Sequence, residues 1–181
     1  AFVSRARSAR QFPLAEGTPV ADVLTHLHLL ADGQVSNAAV LLFGRDPQKF
    51  VPCAEMRCMH FHGTEVQRPV PFYRVFKGRL FDQVDQAADF VLSKVNRSVG
   101  TRAAGPRAPV RSELPEDVVT EAIVNAVAHR DYTSNGSVQA MLFADRLEVW
   151  NPGTLPPPLT LEDLRQPHGS VPANPLLAEP M

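Results

Sequence analysis

The chain has 181 residues, 44% of them hydrophobic and 20% charged, which is enough to bury a core and too ordinary a composition for a fibre or a disordered polymer. Its net charge of −1 offers no overall attraction to a polyanion, so contact with nucleic acid has to be argued from local features. The longest wholly apolar run, "AAVLLF", falls far short of the roughly 20 residues a membrane-spanning helix needs.

The opening "AFVSRARSARQF" is rich in Arg and Ser and free of acids, as organellar presequences are; because the numbering starts at Ala, it reads better as one end of an excised piece of a longer chain. Next, "TPVADVLTHLHLL" predicts a helix, with Thr18 as its cap, Pro19 in its first position and Val20, Val23, Leu24, Leu27 and Leu30 on one apolar face. The "DG" at 32–33 ends it. The following "SNAAVLLFG" reads as a buried strand, which argues against a helix-turn-helix in this neighbourhood.

"CAEMRCMHFHG" alternates and predicts a strand. Cys58, His60 and His62 would share one face of it, with Cys53 nearby. Ligands two apart on a straight strand diverge, and the spacing fits no closed zinc motif, so these residues are assigned a structural role. Two cysteines are also too few for a disulfide framework, which points to a reducing, cytoplasmic setting.

"GRLFDQVDQAADFVLSKVN" predicts a second helix, from Leu80, Val84, Ala87, Val91 and Val95 at helical spacing. "GTRAAGPRAP" breaks the pattern as a loop, or as a strand edge at Val110, and divides a segment 1–108 from a segment 109–181. A third helix is expected over 115–129, with Pro115 in its first position and Glu116 and Asp117 where the helix dipole favours acids. "SVQAMLF" and "RLEVWNPG" form a hairpin about "AD". From Pro152 onward the many prolines predict irregular chain, apart from a turn of helix at "LEDL".

The third helix carries "EAIVNAVAHRDY". Residues four apart on a helix advance around it by only about 40°. Glu121, Asn125 and His129 therefore form one polar ribbon beside an apolar stripe of Val118, Ala122, Ile123, Ala126 and Val127. Solvated helix faces are usually filled with Lys, Glu, Arg and Gln, and Asn is a weak helix former; an Asn between two alanines suggests a side chain kept for its oxygen. Arg130 and Asp131, next in line, could equally pair with each other and close the helix.

Together, "EAIVNAVAHRDY", "FADRLEVWNPGTLP" and "NPLLAE" resemble the carboxy-terminal part of bacterial RecG-related transcriptional regulators and helicase-like proteins. There a Schlafen-AlbA-type segment precedes a divergent ATP-binding domain of the GHKL class (gyrase, Hsp90, histidine kinase, MutL). "SNAAVLLFGRDPQKFVP" and "FKGRLFDQVDQAADFV" resemble the segment just before that domain, so the likeness runs from about residue 23 onward.

The resemblance implies roles. Asn125 would give its oxygen to a Mg²⁺ that bridges the phosphates of ATP, a hard cation that keeps phosphate and water in its other positions. Glu121, one turn earlier, would activate the attacking water, and His129 or Arg130 would neutralise phosphate charge. In place of the class's Asp-x-Gly-x-Gly loop stands "WNPGTLP": Asn151 would accept the bond from the adenine amino group and Gly153 would let the base approach, while Pro152 stiffens the turn. The glycine-rich lid has no evident counterpart, and Ala173 precedes Asn174 where family members tend to carry Arg. "HRD" also opens the catalytic loop of protein kinases, but position 136 is Gly where a kinase needs Asn, and neither a Gly-rich loop nor a DFG accompanies it.

The expected architecture is α+β, a mixed or antiparallel sheet with helices on one face. Its second half would be a truncated GHKL-like ATP-binding layer, with the 115–129 helix over the 138–150 hairpin. The function so implied is a Mg-nucleotide-binding module, acting as a slow ATPase or an ATP-controlled switch. The alternative is a degenerate fold serving as a dimerisation or regulatory scaffold. Its partners would be the nucleotide and a second copy in a homodimer, with DNA reached only through regions outside this chain.

Overall fold

The computed structural model describes residues 2–10, 12–95, 97–99, 110–155, 160–166 and 172–181. The helices are α1 (Phe2–Arg10), α2 (Val20–His26), α3 (Asn37–Phe43), α4 (Leu80–Leu92), α5 (Glu116–Ala128) and α6 (Pro175–Ala178). The strands are β1 (Leu30–Ala31), β2 (Gln34–Val35), β3 (Met56–His60), β4 (Phe72–Phe76), β5 (Arg97–Val99), β6 (Val110–Ser112), β7 (Val138–Leu142) and β8 (Leu147–Trp150).

The fold is α+β, with a mixed four-stranded sheet in the order β4-β3-β7-β8. β4 and β8 each run antiparallel to their neighbour, while β3 and β7 pair in parallel, Met56 opposite Val138 and His60 opposite Leu142. Each half of the chain supplies two strands. The period of two sets the layers: Met56, Cys58, Val138 and Ala140 point into the main core, where Val84, Ala87 and Val91 of α4 and Val119, Ile123 and Val127 of α5 meet them. Burying each of these larger aliphatic side chains contributes about 1.5–3 kcal/mol. The opposite face holds a small separate cluster of Phe61, Met141 and Phe143 and leaves Tyr73, Val75 and Trp150 exposed.

Helix α4 and the β7–β8 hairpin form where the sequence places them, and α5 packs over that hairpin. β6 begins at Val110 and pairs with β5, so the strand edge is present; residues 100–109 between them lie outside the described residues.

Several local expectations are corrected. The "SNAAVLLFG" segment is not a strand but helix α3, because the Ser36 hydroxyl accepts the Ala39 N–H at 3.2 Å and caps a run rich in Ala and Leu. Helix α2 stops at His26. Asp32 and Gly33, both at positive φ, make the two-residue turn of the β1–β2 hairpin rather than the end of a longer helix. Thr18 donates its hydroxyl to the Ala15 carbonyl instead of capping α2, and Pro19 and Pro115 each stand one position outside their helices, with extended ψ. On α5 Ile123, Ala126 and Val127 are buried as expected, but the first turn buries Val119 and leaves Val118 56% exposed. The proline-rich end holds the expected single turn at Asp163–Arg165 and also α6, which composition alone conceals.

Candidate functional site

Helix α5 ends in a junction of three segments. Its last carbonyls would be orphans in a buried setting. The Asn174 side chain resolves this by donating to Ala128 O at 2.9 Å and Arg130 O at 2.7 Å, and the Asn174 backbone N–H adds a bond to Ala128 O at 3.1 Å. The 151–153 turn closes on the same place: Asp131 N–H donates to Pro152 O at 2.6 Å. Gly153 lies so close that a β-carbon there would stand 2.8 Å from His129 O, tighter than side chains tolerate. Gly136 faces Pro152 in the same way, at 3.1 Å.

Arg130 is the deepest member of the junction. Only 1% exposed, its Nη2 donates to the carbonyls of Cys53 and Gly136, both at 2.6 Å, and its guanidinium lies 4.8 Å from the centre of the Tyr132 ring. Burial holds its pKa below the ordinary guanidinium value, and Nε is buried with no partner. Burial likewise pushes the Tyr132 hydroxyl up, and that hydroxyl donates to Val127 O at 3.1 Å. Asp131, in contrast, is exposed. It accepts from the Thr133 hydroxyl at 2.6 Å and the Thr133 N–H at 2.8 Å, and these bonds hold its carboxyl below the usual range.

Glu121 and Asn125 sit on the exposed side of α5, joined by a 3.0 Å bond from Asn125 Nδ2 to Glu121 Oε1. A carboxylate can only accept, so this bond turns the amide nitrogen toward Glu121 and leaves Oδ1 directed elsewhere. An outward carboxamide oxygen suits a hard cation of the magnesium type, which needs few protein ligands when phosphate and water supply the rest. Both residues are exposed on the helix, so the match to the ion is one of oxygen chemistry alone. His129 is partly buried at the helix end and donates its N–H to Asn125 O at 2.9 Å.

The structure therefore brings Asn125, His129, Asn151 and Gly153 to one end of α5, keeps Glu121 beside Asn125 on the open face, and turns Arg130 inward. Sequence reasoning missed Asn174 as a clamp and Arg130 as an interior tie. An Asn directly before a helix-starting Pro was the available signal for the first. The partners of Arg130 are backbone carbonyls, which no side-chain pattern announces.

Comparison with known proteins bears on the same region. Residues 135–181, which include Asn151, Gly153 and Asn174, match the family described as "Putative ATP-dependent DNA helicase recG C-terminal". No curated protein matches the chain. Among solved structures, the DIP2311 protein from Corynebacterium diphtheriae superimposes with a TM-score of 0.73 at 23% identity, over 99% of this chain and 35% of that one. At that identity the likeness shows the fold, and the present chain spans about a third of that protein's length. The resemblance drawn from "FADRLEVWNPGTLP" and "NPLLAE" is thus borne out over residues 135–181, which are similar to the RecG carboxy-terminal family.

Proposed function

We propose that this chain is the Mg-nucleotide-binding part of a RecG-related regulator or helicase-like protein, with ATP as ligand. The observation that supports the reading is the Glu121–Asn125 pair, bonded through the amide nitrogen on the exposed side of the helix that the 151–153 turn packs against. In this reading Asn125 would hold a magnesium ion, which would supply positive charge against the phosphates. Glu121 orients the amide and accepts a proton from water in slow turnover. Asn151 and Gly153 meet the base, His129 lies nearest the phosphates, and Arg130 acts indirectly by fixing the loop that carries them. Pairing into a homodimer, a cytoplasmic setting and DNA contact through other regions of the full protein belong to the same proposal.

Titration calorimetry with Mg-ATP tests it. The chain should bind, and Asn125→Ala should lose about tenfold or more in affinity, as expected for loss of a charge-assisted contact. Absence of heat from the unsubstituted chain would leave the degenerate scaffold in its place. Phosphate release by the chain and by Glu121→Gln reads whether Glu121 also performs the proton transfer.

A further inference from the structure

Strand β4 is one edge of the main sheet, and among the described residues nothing pairs with its outer side. Which of its backbone groups point outward follows from the seam beside it. The Phe61 N–H donates to Leu142 O at 2.8 Å, so Phe61 directs its backbone groups at β7. Backbone groups alternate along a strand, so Met59 and Arg57 do the same, while Met56, Cys58 and His60 turn theirs to β4. Their partners there are Phe76, Arg74 and Phe72. The N–H and C=O groups of Tyr73 and Val75 therefore point away from the sheet. Among the described residues, the one side chain bonded to any of them is the Arg74 guanidinium, which reaches Tyr73 O at 3.4 Å.

This edge is open and carries a sign. Phe72, Tyr73 and Val75 are 40%, 43% and 38% exposed, and Arg74 between them is exposed without an ion pair among the described residues. Lys77, just past the strand, and Arg57, opposite Val75, share a single acid, Glu55, at 3.4 and 2.8 Å. Lys94, over the Phe72 ring, has Glu113 across the same hollow to offset it. On α4, which packs over β3 and β4, Asp82 is taken by Arg79. Counting exposed Asp89 of that helix against the edge still leaves Arg57, Arg74 and Lys77 in excess. The prolines that could blunt the edge, Pro69 and Pro71, precede the strand and do not enter it.

We propose that β4 receives an extended acidic segment of a partner protein as a further, antiparallel strand of the sheet. Tyr73 and Val75 each exchange two hydrogen bonds with it. The partner residue between those pairs falls opposite Arg74, in the close pair of an antiparallel ladder, where Cα atoms lie about 4.5 Å apart. An Asp or Glu there shares a face with Arg74 and pairs with it, and apolar or β-branched neighbours cover Tyr73 and Val75 on the other face. A second copy of this chain suits the edge less. The register that uses both Tyr73 and Val75 sets Arg74 against Arg74 of the other copy, like charges in the closest pair.

Backbone ¹H–¹⁵N NMR of the whole chain tests this with the capped peptide Ser-Thr-Val-Glu-Val-Thr-Ser as probe. Saturable shifts are expected on β4, with amide exchange slowed at Tyr73 and Val75 and the β8 edge unmoved. Lys in place of the peptide's Glu should weaken binding about fivefold or more, and Arg74→Glu, a change at an exposed side chain, should reverse that preference. N-methylation of the two peptide valines removes the donors that face Tyr73 and Val75 and should abolish binding. Asn125→Ala should leave it unchanged, which separates this edge from the nucleotide proposal. Equal binding of the Glu and Lys peptides would overturn the acidic partner. No saturable shift with either would overturn the site and make Arg74 a guard against edge pairing. Slowed exchange at Tyr73 and Val75 that grows with protein concentration, without peptide, would assign the edge to a second copy instead.

Discussion

Glu121 and Arg130 come from one short motif yet meet opposite environments. Glu121, with Asn125, faces solvent and is bonded only along its own helix, whereas Arg130 is enclosed and ties together Cys53, Gly136 and the end of α5. Polar residues adjacent in sequence thus divide into those that hold the fold and those left able to meet a ligand. Mutation should separate the two groups, stability falling at the junction and ligand affinity at the open face.

The largest effect is expected at Arg130. Truncation to Ala removes both bonds to the Cys53 and Gly136 carbonyls and leaves a hollow beside Tyr132 where a buried side chain stood, and chemical denaturation should report a loss of about 3 kcal/mol. Gly153→Ala comes next. Its β-carbon would press on His129 O, so the 151–153 turn must move away from α5 at a cost of about 1–3 kcal/mol. Mg-ATP affinity should fall with it, because the turn and the helix then no longer face one ligand. Asn174→Ala removes both side-chain bonds to the Ala128 and Arg130 carbonyls, and a loss of about 1–2 kcal/mol is expected, with faster amide exchange in the last turn of α5. Asn125→Ala should change stability least, within about 0.5 kcal/mol, while weakening Mg-ATP about tenfold or more. A strongly destabilising Asn125→Ala together with a silent Arg130→Ala would invert the division.

Much of this was legible in the sequence, and for physical reasons. Helix α4 repeats its apolar residues every three or four positions, and β7 and β8 alternate about a short turn, so a single period identifies each. Helix α3 was illegible because a short apolar run suits a buried strand or a buried helix equally, and the deciding Ser36 cap occupies one residue. Which of the adjacent valines is buried, Val119 rather than Val118, depends on how the first turn of α5 meets the sheet, which the pair itself cannot report. At the candidate site, spacing foretold that Glu121 and Asn125 share a face. It could not foretell that Arg130 turns inward, since that depends on carbonyls brought close only by the folded chain.

The parallel seam between β3 and β7 has a consequence for how this molecule is assembled and handled. Strands so far apart along the chain can zip together only after the intervening polypeptide has looped back, so closure entropy falls early and ordering should be slow for a protein of this length. An excised hairpin fragment would expose the unsatisfied flank of β7 to other chains, and it should precipitate unless the earlier strands are supplied in trans.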